Sequence, residues 1–351
     1  MSRYLNDWFK RLDVYTPGEQ PQDKQYVKLN TNESPYPPAP AVLEAVAREA
    51  ARLQLYSDPE CARLRDTIAG LYGVKRENVY VSNGSDDILN FAFMAFGGGS
   101  KAYFPDISYG FYKVYGDLHG VEYAQIPLKD DFTIDPRDYY DRDGTVVLAN
   151  PNAPTGMALS AEEIEGIVRA NPDQVVLIDE AYVDFGAESV APLTAKYDNL
   201  LVVQTFSKSR SMAGARLGFA IANAALIDDL NRLKYCTNPY NVNRMTLAAG
   251  EAAILENDFY MANCRRIMET RGQTAEALRA LGFEVLPSRA NFLFARSARI
   301  GGEALYRALK SRGVLVRHFT APRIADFNRI TIGTPEEMAV LIARIKEILE
   351  A

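Results

Sequence analysis

An α/β fold, with a mainly parallel sheet covered by helices on both faces and a smaller α+β portion built from the tail, is predicted by three features of the 351-residue sequence. Seven short runs read as strands that are apolar on both faces, the mark of a sheet buried from both sides. Segments of helical periodicity separate several of these runs, so the connections are crossovers rather than hairpins. From about residue 241 onward the pattern changes to long helices and then to a second, smaller set of strands.

Taken in order, the first 40 residues are rich in proline and polar groups (TPGEQPQDKQ, then NESPYPPAP) and predict an extended arm with turns. The strands follow at NVYVS (78–82), KAYFP (101–105), VEYAQIP (121–127), TVVLAN (145–150), QVVLID (174–179), LLVVQT (200–205) and LGFAIA (217–222). Helical patterns lie among them at DDILNFAFMAF, at SAEEIEGIVRA with a capping box opening at Ser160, and at ALIDDLNRLKY. The tail reads as the helices MTLAAGEAAILEN and DFYMANCRRIMETRGQTAEALRALG. After them come FEVLP, ANFLFAR, the helix GEALYRALKSRG, VLVRHF, RITIGT and a terminal helix PEEMAVLIARIKEILEA. The expected division is an arm over 1–40 that joins the small domain, a large domain over 41–255 and a small C-terminal domain over 256–351. No repeat and no low-complexity tract is visible.

Apolar residues make up 48% and charged ones 24%, the balance of a soluble globular protein. With 39 basic and 45 acidic side chains the net charge is -6, which argues against nucleic acid as a partner and leaves an anionic ligand to a few placed arginines. The cysteines, Cys61, Cys236 and Cys264, form no C-x-x-C pair, so neither a zinc site nor a disulfide framework is expected. His119 and His318 are the only histidines, which leaves little material for a His-based metal site or a Ser/His/Asp triad. The N-terminus lacks an apolar leader region and no run of apolar residues is long enough to span a bilayer, so a cytoplasmic protein with no membrane partner is expected.

Ligands of α/β sheets bind beyond the carboxyl ends of the strands, and here those ends are polar. SNGSDD (82–87) opens a helix whose free N–H groups suit an anion, although an ordinary cap by Ser85 and Asp86 reads the same way. Asp179 ends one strand in Asp179-Glu180-Ala181-Tyr182, and Lys208 follows another in Thr205-Phe206-Ser207-Lys208. A charge at a buried strand end is costly unless it has a partner or a task. Lys208, the nearby hydroxyls and Arg216 in AGARLG make a workable set: an amine for a Schiff base, with hydroxyls and a guanidinium for a phosphate.

These residues bring a family into view. The sequence resembles the pyridoxal-phosphate-dependent aminotransferases of fold type I, and within them the histidinol-phosphate aminotransferases, along essentially its whole length. The matching segments, in order, are LNTNESPYPP (29–38), YSDPE (56–60), SNGSDD (82–87), PDISYGFY (105–112), NPNAPTG (150–156), DEAY (179–182), TFSK with AGARLG (205–218) and VRHFTAPRIADFNRITIGT (316–334).

The resemblance implies pyridoxal 5'-phosphate held by Lys208 as a Schiff base, with Lys208 later shuttling a proton, Asp179 paired with the ring nitrogen and Tyr182 on the phenolic oxygen. It implies Tyr109 on the ring face and the phosphate held by Ser85, Asp86, Thr205, Ser207 and Arg216. It further implies a homodimer in which Tyr56 reaches the phosphate of the other subunit. The substrates implied are histidinol phosphate and 2-oxoglutarate or glutamate, their anionic ends received by Arg317 and Arg329, with Tyr15 and Asn32 of the arm as lid and substrate contacts.

One position departs from the family. Where relatives carry an asparagine beside the proline of N-N-P-T-G, this chain has Ala153, so either Asn152 takes over the contact to the phenolic oxygen or Tyr182 acts alone. His318 reads as a structural or surface residue beside Arg317. An aromatic aminotransferase and a lyase resembling threonine-phosphate decarboxylase share most of these motifs, and both would use Lys208. A catalytically silent sensor would be expected to carry a DNA-binding extension and to have lost that lysine.

Overall fold

The computed structural model describes residues 1–98 and 101–350. The arm holds a short helix, α1 (Asp7–Lys10), and a two-residue strand, β1 (Val27–Lys28). Helices α2 (Pro40–Ala50) and α3 (Ala62–Tyr72) follow, and then the central sheet begins with β2 (Val79–Ser82), helix α4 (Ser85–Phe96), β3 (Lys101–Pro105), helix α5 (Phe111–His119) and β4 (Glu122–Ile126). It is completed by β5 (Gly144–Ala149), helix α6 (Ala161–Ala170), β6 (Val176–Asp179), β7 (Leu200–Thr205) and β8 (Gly218–Ala222). All seven strands stand where the sequence predicts them, with ends shifted by a residue or two.

The strand order is β2-β8-β7-β6-β5-β3-β4, parallel except for β8, which runs antiparallel to both of its neighbours. Alternate residues of the same strand enter different cores: Val146 and Leu148 of β5 pack on one face, Val147 and Ala149 on the other. Both faces are therefore covered, which explains why these strands read as continuous apolar runs. The predicted capping box forms, Ser160 accepting from the Glu163 N–H while Glu163 reaches back to the Ser160 N–H.

Helices α7 (Ala224–Thr237), α8 (Arg244–Leu255) and α9 (Asn257–Ala280) lead to a second sheet. The elements of this region are β9 (Phe283–Val285), β10 (Phe292–Ser297), helix α10 (Gly302–Ser311), β11 (Val314–Leu315), β12 (Arg317–His318), β13 (Phe327–Thr331) and helix α11 (Pro335–Glu350). Ala351, which the sequence assigns to the last helix, lies outside the described residues. The small sheet is antiparallel in the order β12-β13-β10-β9. The run VLVRHF, expected as one strand, divides: β11 pairs in parallel with β1 of the arm, and past Val316 β12 turns to β13. The arm is thus not merely extended; it adds a helix and a strand of its own.

Candidate active site

The carboxyl ends of β5, β6 and β7 converge because the strands are parallel and in register, Ala149 opposite Asp179 and Asp179 opposite Val203. Beyond them lies a cavity of about 230 Å³ lined by Lys208, Asp179, Tyr182, Tyr109, Ser85, Asp86, Thr205, Ser207 and Arg216 among others. Nine of the side chains proposed from the sequence thus meet in one place.

Asp179 is 4% exposed, and burial pushes its carboxyl up to about 6, against the pull of donated hydrogen bonds. Those donors are the Tyr112 hydroxyl to Oδ2 at 2.9 Å and the Ala181 N–H to Oδ1 at 3.1 Å. Lys208 makes no ion pair among the described residues; its Nζ donates to the Thr31 carbonyl at 3.2 Å and stands over the Tyr182 ring at 5.8 Å. Burial, and after it the charge of Arg329, pulls this amine down to about 8. An amine so tuned is available as a nucleophile and as a proton carrier near neutral pH.

At one end of the cavity α4 starts at Ser85 without a side-chain cap, leaving first-turn N–H groups with no acceptor inside the helix. Arg216 reaches over this terminus, Nη2 donating to Asp86 Oδ2 at 2.9 Å and Nη1 to Ser207 Oγ at 3.4 Å. The Tyr109 hydroxyl donates to Asp86 Oδ1 at 2.7 Å, so one carboxylate organises both groups. Two glycines make the approach possible. A Cβ on Gly84, whose φ is +84°, would meet Arg216 Nη2 at 2.7 Å, and one on Gly218 would meet the Ser85 nitrogen at 2.4 Å.

The other end opens into a second cavity of about 390 Å³ that shares Lys208, Tyr182, Tyr109, Thr31 and Ala153 with the first and adds Arg317, Arg329, Tyr15 and Asn32. Arg317 and Arg329 lie directly opposite each other across β12 and β13. Like charges so placed repel. Neither makes an ion pair among the described residues: Arg329 donates to the Asn30 carbonyl, and Arg317 to the carbonyls of Thr16 and Pro17. The Arg329 Nε is buried without an acceptor. Tyr15 stacks on Phe111 at 4.2 Å and meets Tyr109 edge-on at 6.4 Å, closing the arm over the opening.

Four further expected residues stand as follows. Asn152 is not among the residues lining the first cavity: its amide donates to the Ile107 carbonyl and Thr155 Oγ1 and its oxygen accepts from Ser108, so it braces the loop while Ala153 lines the cavity. Asn32 lies in the second cavity, yet its amide donates to the Tyr182 hydroxyl at 2.9 Å and its oxygen accepts from Thr331 Oγ1. It is thus a support of Tyr182 as well as a lining group. Tyr56 stands away from its own chain's cavity, 80% exposed and stacked on Tyr240. His318 bonds the Ala325 carbonyl and packs on Tyr306, a structural placement. Tyr112, buried behind Asp179, and Thr31, against Lys208, were not expected.

Residues 24–345 match the family model for aminotransferase class I and II. Among curated proteins, the chain is 50% identical to the histidinol-phosphate aminotransferase of Brachyspira hyodysenteriae, with 100% of both chains covered. It is 51% identical to that of a Marinomonas species, covering 99% of this chain and 100% of the relative. Among solved structures, histidinol-phosphate aminotransferase from Sinorhizobium meliloti in complex with pyridoxal-5'-phosphate superposes with a TM-score of 0.89 at 22% identity, covering 100% of this chain and 98% of that one.

Proposed function

The chain belongs to the class I and II aminotransferases, and we propose that it moves an amino group between histidinol phosphate and 2-oxoglutarate with the aid of pyridoxal phosphate, in histidine biosynthesis. The observation that carries the substrate is the facing pair Arg317 and Arg329, two guanidiniums without carboxylates at the opening above Lys208. An anion between them would relieve the repulsion of such a pair, and a planar fork accepts a phosphate or a carboxylate equally well.

The residues fit the cofactor. A lysine and a buried carboxylate that make no ion pair among the described residues, and an uncapped helix terminus under Arg216, are the three things this group needs: an attachment, a counter-charge and an anion seat. Lys208 would hold it, Asp179 would face its ring nitrogen, Tyr182 its phenolic oxygen and Tyr109 its ring. Ser85, Asp86, Thr205, Ser207 and Arg216 would receive its phosphate. Bound there, pyridoxal phosphate supplies an electron-withdrawing ring that makes the substrate's C–H next to the amine acidic.

The protein's own part follows from the placements. Arg317 and Arg329 bind the anionic end and so set which bond lies near Lys208. The lysine, with both protonation states accessible near pH 8, takes up and returns the proton at Nζ. Asp179 holds negative charge at the back of the site, and Tyr15 with Phe111 keeps water from the opening.

The same reading makes the working unit a homodimer, with the exposed Tyr56 reaching the phosphate seat of the second copy. It takes residues 1–40, 41–255 and 256–351 as arm, large and small domain, supported by the pairing of β1 with β11. It places the enzyme in the cytoplasm, which the free cysteines Cys61, Cys236 and Cys264 fit. No described helix is long and apolar enough to cross a membrane.

The test is a panel of amino donors with 2-oxoglutarate, scored for keto product and for carbon dioxide. Keto product from histidinol phosphate without carbon dioxide supports the transferase; carbon dioxide release would make it a lyase, and preference for an aromatic amino acid would move the substrate. Borohydride reduction in the presence of pyridoxal phosphate, followed by peptide mapping, should mark Lys208 and no other lysine.

A further inference from the structure

Two of the groups that would contact the cofactor, Asp179 and Tyr109, converge on a residue that lines neither of the two cavities described above. Tyr112 lies on α5, 0% exposed, one helical turn beyond Tyr109. Its hydroxyl donates to Asp179 Oδ2 at 2.9 Å, and its ring meets that of Tyr109 edge-on, 5.7 Å between centroids and 86° between planes. Phe104 and Phe93 enclose the same ring from behind, at 5.8 and 6.4 Å. A side chain packed on three rings has little freedom to move, so what it touches is fixed as well.

We propose that Tyr112 is a positioning residue of the site, orienting Asp179 through its hydroxyl and bracing Tyr109 through its ring, so that the counter-charge behind the cofactor and the aromatic ring over it are set by one group. The inference rests on the reading of Asp179 and Tyr109 given above. Asp179 has two hydrogen-bond donors, and each takes a different oxygen: the Ala181 N–H fixes Oδ1, but only Tyr112 fixes Oδ2. Without it the carboxylate keeps one anchor and can swing about it.

The charge of Asp179 depends on the same bond. The groups facing it are the Tyr112 and Tyr115 hydroxyls from α5, Asp86 from α4, Tyr182 and the Ala181 N–H from its own loop, and Lys208 from the loop after β7. Burial and Asp86 favour the neutral acid; Tyr112, Ala181 and Lys208 favour the anion. Adjacent Glu180 takes no part, being occupied on the other face of the strand by Ser189, the Val190 N–H and Gln204. Deleting the tyrosine hydroxyl therefore shifts Asp179 toward protonation, and a protonated carboxyl is no partner for a cationic ring nitrogen.

The experiment compares full-length wild type with Tyr112→Phe, which keeps the ring and removes one oxygen. Cofactor-free protein is titrated with pyridoxal phosphate by absorbance between pH 5 and 9, and its thermal unfolding is followed separately. Tyr112→Phe is expected to raise the Kd on the order of tenfold at pH 7 and to move the acidic limb of binding upward by about one pH unit, since a raised pKa means loss of the anion at higher pH. In an Asp179→Asn background the same change should alter Kd by less than about twofold, because its target is gone. A purely structural tyrosine would lower the unfolding temperature and leave the limb where it was. Wild type that binds while Tyr112→Phe binds identically, or an undiminished effect on Asp179→Asn, overturns the inference alone. Wild type that takes up no pyridoxal phosphate at any pH overturns the functional reading and this inference with it.

Discussion

At one end of the cavity Arg216 lies 2.9 Å from Asp86, and that carboxylate also accepts from Tyr109. At the other, Arg317 and Arg329 face each other across two strands, answered among the described residues by backbone carbonyls and the rings of Phe292 and Phe319 but by no carboxylate. In the first arrangement the arginine charge is already paired, and what remains open is the uncapped N–H groups at the start of α4. In the second two like charges face each other without a carboxylate, so a net negative charge is what a ligand would bring. In this chain a resident group and a passing one would therefore be met by different physics: open N–H dipoles beside a paired arginine for the one, two unpaired guanidiniums for the other.

The comparison breaks most visibly at the bare end. Arg317→Ala and Arg329→Ala should each lower kcat/KM for histidinol phosphate by roughly 10- to 100-fold, since each removes a charge-assisted contact, while leaving the Kd of pyridoxal phosphate nearly unchanged. Steady-state kinetics beside a cofactor titration reads both, and wild-type kinetics in the two variants would return these arginines to a structural role. At the satisfied end the pattern should invert. Arg216→Ala is expected to weaken cofactor binding by about tenfold, with Asp86 then left as an unanswered charge beside the seat, and to change KM much less.

A pH measurement sharpens the contrast by asking how far the bare charge reaches. Lys208 is held near 8 by burial first and by Arg329 second, and only its neutral form attacks a carbonyl. The rate at which cofactor-free protein takes up pyridoxal phosphate should therefore rise with pH through a midpoint near 8. Because Arg329 lowers this midpoint, Arg329→Ala should move it upward; a fixed or falling midpoint would mean the two ends are electrically independent. The smallest functional effect belongs to the loop between them. Asn152→Ala should leave cofactor affinity unaltered and cost about 1–2 kcal/mol of stability in thermal or urea unfolding, because its bonds go to Ile107, Thr155 and Ser108.

What the sequence made legible, and what it hid, follows from the range of the interactions involved. Strand ends carrying Asp179 and Lys208 were readable because a charge after an apolar run is a local anomaly. Helix α6 was readable from its Ser160 and Glu163 cap. Helices α2, α3 and α5 were not, since their N-cap residues, Ala39, Cys61 and Gly110, offer no side-chain cap to announce a start. Tyr112 offered no signal, since a tyrosine three positions after another on a buried helix face is ordinary core until the strand that faces it is known. Asn32 illustrates the same limit: its left-handed backbone, φ 56°, and its bonds to Thr331 and Tyr182 bring together segments far apart in the chain. The direction in which Asn152 points is a property of the folded loop, and position beside Ala153 said nothing about it.

The close packing of Gly218 against the start of α4 carries a consequence for how the chain reaches its fold. Gly218 opens β8 and pairs with Ser82 of β2 on one side and Thr205 of β7 on the other. The Ser85 nitrogen comes so close there that no side chain fits. If β8 slipped by one residue during pairing, Leu217 or Phe219 would arrive where only a hydrogen is tolerated, and the helix entrance would be forced away from Arg216. Misregistered pairing at this edge of the sheet is therefore self-rejecting. The tightest packing in the anion seat doubles as a proofreading device for assembly, and a Gly218→Ala chain should accumulate misfolded material before it loses any chemistry.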